Sequence, residues 1–110
     1  MTKSEQRFLE VEQIWFDVDE NYYKDMSRTR TDSQARRVET NWYNARTAYM
    51  RALADGLEKN SKDADNVLAE LKAANKDVLK ARKDSEKFTS LLEKVEDAVG
   101  NAMSLVLLAI

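Results

Sequence analysis

The chain has no cysteine, no histidine and no proline, and its only glycines are Gly56 and Gly100. Without cysteine there is no disulfide, no thiolate nucleophile and no Cys-ligated zinc, and redox compartment leaves no mark on the composition. Without histidine the usual proton shuttle near neutral pH and the commonest metal ligand are missing. A ferritin-like di-iron site, which needs Glu-x-x-His pairs on facing helices, is excluded with them. The missing proline and scarce glycine remove the punctuation that sheets and tight turns require. No D-x-[DN]-x-[DN]-G calcium loop is present, so the sequence offers no catalytic, cofactor-binding or metal-binding signature.

What is there is helix-forming. Charged residues make up 35% of 110 and are intermixed with Ala, Leu, Glu and Lys, which predicts an all-α protein of one domain, residues 1–110. The amino terminus, MTKSEQRFLEVEQ, carries no apolar run behind a basic start, so the expected compartment is the cytoplasm; secretion systems that use no signal peptide leave the same pattern.

Three apolar patterns run along the chain. In the first, Phe8, Val11, Trp15, Val18 and Tyr22 recur at steps of three and four and predict a helix over 4–26, with Leu9, Ile14 and Phe16 widening the buried stripe. SRTRTD, residues 27–32, has no apolar side chain and reads as a loop in which Asp32 or Ser33 caps the next helix. The second pattern, Ala35, Val38, Trp42, Ala45, Tyr49, Leu53 and Leu57, predicts a helix over 33–58. It ends in EKNSKD, where Asn60 suits a left-handed helix end and Ser61 or Asp63 a cap. NWYN, residues 41–44, sits inside this helical pattern, with Asn44 where a Trp-x-Gly turn would need glycine.

The third pattern is the most regular. From Val67 through Leu71, Ala74, Val78, Ala81, Ser85, Phe88, Leu92, Val95, Val99, Ala102 and Val106 to Ala109, steps of three and four alternate strictly, the signature of heptads. One unbroken phase predicts one helix over 62–109. At 1.5 Å per residue it would span roughly 70 Å, against roughly 35 and 40 Å for the first two. The expectation is therefore a short antiparallel hairpin plus one long heptad helix whose overhang is covered by a second chain, with Leu92, Val95, Val99, Ala102 and Val106 as the oligomer seam. The alternative is a four-helix up-and-down bundle with a break near Asp84-Ser85.

The end of the chain, VGNAMSLVLLAI, is apolar all round. It is shorter than the roughly 20 residues of a membrane span, and Glu93, Glu96 and Asp97 precede it where an anchor on anionic lipid would be basic. Burial in a bundle, in the form of an oligomer seam, is the favoured reading, and membrane association through residues 98–110 the alternative.

Charge is segregated. Residues 1–26 hold seven acids against three bases, and residues 27–51 hold six arginines against two acids. One reading makes Arg28, Arg30, Arg36 and Arg37 an anion-binding cluster, within a 28–51 segment for nucleic acid or phosphate. The favoured reading lays an acidic first helix antiparallel to a basic second, with Glu12 level with Arg46; the chain's net charge of −2 also opposes a polyanion. The same hairpin puts Trp15 level with Trp42 and Phe8 near Tyr49, a layered aromatic core. Carboxylate pairs such as Asp17 with Glu20, or Glu93 with Asp97, read as solvated helix faces. The functional expectation is a non-enzymatic interaction or scaffold protein that forms homo-oligomers.

Overall fold

Three helices begin where a hydroxyl can replace the missing intrahelical acceptor. In the computed structural model, which describes residues 1–110, Thr2, Thr31 and Ser61 accept hydrogen bonds from the backbone N–H groups of Glu5, Gln34 and Ala64 at 3.1, 3.1 and 3.0 Å. They start helices α1 (Lys3–Glu20), α3 (Asp32–Asp55) and α4 (Lys62–Lys83). The cap of α3 is thus Thr31, ahead of the expected Asp32 or Ser33. Asn21 interrupts the first helical pattern, its side chain donating to the Asp17 carbonyl at 2.8 Å, and a short helix, α2 (Tyr22–Arg28), continues beyond it.

The expected long helix over 62–109 is two helices. After α4 the chain turns at Asp84–Lys87 and returns as α5 (Phe88–Ala109), so the four-helix alternative describes the molecule. The heptads miss the turn because Ala81 and Phe88 stand one heptad apart on either side of it, and both partners of an antiparallel hairpin must keep an inward apolar face. The stop signal is hidden for a second reason. Ser85 takes the left-handed position, φ 52°, that glycine usually fills. The N–H of Ser85 donates to Arg82 and that of Glu86 to Ala81, at 3.3 and 3.1 Å, which is the paired bonding of a Schellman helix end. Gly56 ends α3 with φ 71° and ψ 176°, a region open to glycine almost alone. Asn60, expected to be that left-handed end, instead accepts from Arg7.

The helices form a ring in the order α1, α3, α5, α4, with α5 also reaching α1 across the middle. Phe8 against Tyr49 and Trp15 against Trp42 make α1 and α3 antiparallel. Gln6 with Lys72, Glu10 with Asn75 and Asp17 with Arg82 make α1 and α4 parallel neighbours. The link from α3 to α4 therefore crosses one end of the bundle diagonally. It is pinned from both sides: the buried Arg7 donates to the Leu57 carbonyl at 2.8 Å, and the Lys59 N–H donates to the Ala109 carbonyl at 2.9 Å.

The core runs through all four long helices and is centred on α5. Leu71, Leu91 and Leu105 are fully buried, interleaved with Ala64, Ala74, Ala81, Ala98, Ala102 and Ala109. These small side chains let α4 and α5 approach closely, so little space is left for anything larger. No helix of the chain is long and apolar enough to cross a membrane.

Candidate interaction surface and charged sites

The five residues expected to form an oligomer seam lie in the core of the single chain. Leu92, Val95, Val99, Ala102 and Val106 are each no more than 4% exposed, because α5 doubles back onto α4 and its own bundle covers the heptad face. The apolar tail shares this fate. Leu105, Val106 and Ala109 are buried, and only Leu107 and Ile110 reach the surface as large exposed apolar groups.

The four arginines of the expected anion cluster separate. Arg37 is taken by Glu96, its Nε and Nη2 donating to the two carboxylate oxygens at 2.7 and 2.6 Å; these bonds hold its pKa above the ordinary arginine value. Arg28 donates to the Glu86 carbonyl at 3.0 Å and lies over the Phe88 ring, 5.0 Å from its centre. Arg30 is exposed and lines a surface cleft with Arg28, Gln34, Lys87, Phe88 and Thr89. Arg36 is exposed on α3 and does not line it. The cleft opens at the start of α5, where Lys87 stands at the capping position and no side chain accepts from the helix.

The expected pairing of an acidic first helix with a basic second is not how the charges are used. None of the ion pairs joins α1 to α3. Asp17 of α1 and Asp25 of α2 face α4 instead. Asp17, which the sequence suggested was a solvated carboxylate, is 8% exposed at its side chain, and Asp25 is 9%. Both grip Arg82: its Nε lies 2.9 Å from each oxygen of Asp17, and its Nη1 and Nη2 each donate to Asp25 at 2.9 Å. Burial works against the Arg82 charge, but these bonds outweigh it and keep the guanidinium well above its usual pKa. For Asp17 burial wins, pushing its carboxyl up from 3.8 against the pull of Arg82. Two carboxylates sharing one guanidinium carry an excess negative charge in a nearly dry place.

A sequence signal for these buried cations exists. Arg7 is the only arginine in residues 1–27 and Arg82 the only one after residue 51, where every other base is lysine. A forked, weakly hydrated guanidinium suits a buried, multiply bonded place better than an ammonium does. The lone arginines are the structural ones, and the crowded ones lie at the surface or its margin.

The aromatic hairpin forms as the sequence predicts and extends further outward. Ring centres lie 5.7 Å apart for Phe8 and Tyr49, 5.5 Å for Trp15 and Trp42, 5.9 Å for Phe16 and Tyr49, and 5.9 Å for Tyr22 and Trp42. The Trp42 indole N–H donates to Asp19 at 2.9 Å. The row is too wide for the bundle to cover. Leu9, Phe16, Tyr43, Met50 and Leu53 are 43 to 63% exposed, all on the outer sides of α1 and α3. Sequence reasoning placed Leu9, Phe16 and Leu53 in the buried stripe. The helical angle separates the first two: they stand seven residues apart, on the arc opposite Val11 and Val18.

No group of three or more carboxylates converges to hold a metal ion, and the buried acids are committed to Arg82. Set against protein-family models, curated proteins and solved structures, the chain matches none of them.

Proposed function

We propose that this protein is a non-enzymatic interaction module that works by presenting the outer face of α1 and α3 to another protein chain. The observation that carries this reading is the run of exposed Leu9, Phe16, Tyr43, Met50 and Leu53 beside the ring stack. Single exposed apolar residues are ordinary on any surface; five on two adjacent helices, next to rings already held in place, form a preorganised patch. Rigid aromatic groups lose little conformational entropy on contact, so such a patch binds at low cost. Assembly through the heptad face of α5 is not part of this reading, since that face is filled by the chain's own core.

A photo-cross-linking residue placed at Tyr43, in cells that make the protein, tests it against the same residue at the exposed Asp77 of α4. Protein adducts from position 43 and none from position 77 are expected. Equal yields from both positions, or none from position 43, would overturn the reading.

A second reading rests on the cleft lined by Arg28, Arg30, Gln34, Lys87, Phe88 and Thr89. Cationic side chains around an uncapped helix start suit a phosphate group. This reading predicts that a labelled RNA single strand binds at low salt and that Arg30→Ala with Lys87→Ala abolishes binding. No change in fluorescence anisotropy at low salt removes it.

A further inference from the structure

We infer that one water molecule is bound as a fixed part of this protein, in a small cavity between α2, α3 and α5, where it bridges the Asn41 amide to the Asp25 carboxylate. Two observations carry it: a buried amide without a partner, and the cavity beside that amide.

The inward stripe of α3 runs Val38, Asn41, Ala45, Ala48 and Ala52 at steps of three and four, and all five are buried. Asn41 is its one polar member. The residue is 6% exposed, and its Nδ2 is closed off from solvent with no hydrogen-bond partner in the chain. A buried amide left unpaired costs its whole desolvation, whereas a leucine at the same place would cost nothing of the kind. The helices supply Nδ2 with no acceptor.

The cavity has room for one. Asn41 and Asp25 are the two polar residues of its wall, which is completed by apolar side chains that include Val38, Leu91, Leu92 and Val95. The space open to the centre of a water molecule is about 10 Å³, at the lower edge of the roughly 10–15 Å³ that one water needs. A metal ion would require more oxygens than two residues supply, and an apolar guest would leave both polar groups unsolvated. Asp25 has capacity to spare. Each of its oxygens accepts one N–H of Arg82 at 2.9 Å, and a carboxylate oxygen can accept two. The amide turns about its last torsion with little change of shape, which brings its NH2 to the cavity; there it donates to the water while the water donates to Asp25. The polar chain Asp17, Arg82, Asp25, water and Asn41 then joins α1, α4, α2 and α3 in turn.

The test is nuclear Overhauser transfer from water to methyl groups in the full chain, with valine and leucine methyls labelled. Cross-peaks of the sign given by a long-lived water are expected from Val38, Leu91, Leu92 and Val95, and none from Leu105, which is fully buried elsewhere in the core. No residue of the cavity wall carries a hydroxyl whose exchange would imitate the signal. Asn41→Leu is expected to abolish the cavity cross-peaks while the helical circular dichroism stays unchanged. Their absence in the unaltered chain overturns the inference, whether or not the variant folds, and so does their survival in Asn41→Leu. A crystal structure of the full chain is expected to show a density peak within hydrogen-bond distance of both Asn41 and Asp25; a peak bonded to neither, or an Asn41 amide bonded to a protein group instead, overturns it as well.

Discussion

The hairpin of α1 and α3 and the hairpin of α4 and α5 solve the same packing problem with different materials. Eight of the nine aromatic residues lie between Phe8 and Tyr49, and Phe88 is the only one beyond. In the first hairpin, rings stack where the helices meet and spill over onto the surface. In the second, alanine, valine and leucine close the contact completely, and α5 is the helix with the most buried side chains. Large rings give the first hairpin area to spare, and small aliphatic groups give the second a fit with none. The two hairpins are joined in a third way. Of seven ion pairs, the five formed by Lys3, Arg7, Arg37 and Arg82 cross from the first hairpin to the second, and the other two are local. Apolar contact builds each half, and charge adds to the register between them.

The sharpest way to break this division is at the junction. Arg82→Met leaves Asp17 and Asp25 buried without a counter-charge, and a loss of about 3–5 kcal/mol is expected in urea unfolding; a loss below about 1 kcal/mol would mean that the junction is held by apolar contact alone. Next comes the contrast within the halves. Ala102→Leu forces extra volume into the closed α5 contact and is expected to cost about 1–3 kcal/mol, whereas Tyr23→Ser, at an 85% exposed ring, is expected to stay within about 0.5 kcal/mol. Equal costs would erase the distinction. A smaller gain is expected at the turn of the second hairpin: Ser85→Gly relieves the left-handed strain and raises stability by about 1 kcal/mol, read as a shift in the urea midpoint.

The smallest effect is a slope. Because burial raises the Asp17 carboxyl above 3.8, the folded state binds its proton more readily than the unfolded chain does. Its contribution grows as pH falls through the raised value and is lost as pH rises back through it. Glu86 has the opposite sign. Hydrogen bonding to Lys94 holds it below 4.5, so its contribution is present above that ordinary value and lost as pH falls through the depressed one. Stability measured from neutral pH into the carboxylate range is therefore expected to fall more steeply in Asp17→Asn and less steeply in Glu86→Gln. Parallel curves for the two variants would contradict both assignments.

Much of this was readable from periodicity. The hairpin level of Trp15 with Trp42 and of Phe8 with Tyr49 comes from three-and-four spacing and the Ser61 cap from a wholly polar stretch, while the tail is buried in its own chain's core and not in a seam between chains. The turn at Asp84–Lys87 was only an alternative, because an antiparallel return can preserve heptad phase and because serine, not glycine, holds the left-handed place. The charges misled for a related reason. Blocks of opposite sign in adjacent helices suggest pairing between them, yet α1 turns Asp17 toward α4 and leaves Glu12 outward, a choice made by helix rotation that composition does not record. The ring order α1, α3, α5, α4 had no local signal, since it depends on which way the link from Gly56 to Ser61 crosses the end of the bundle.

That diagonal link also bears on the order in which the molecule assembles. Each hairpin closes over a shorter stretch of chain, while the side-chain bonds from the first half to the second join residues 57 to 66 positions apart, as in Asp25 with Arg82 and Gln6 with Lys72. Loop closure makes the nearer contacts cheaper to form first. The crossing thus divides folding into two local searches and one docking step, and the Arg82 grip on Asp17 and Asp25 is made when the halves meet.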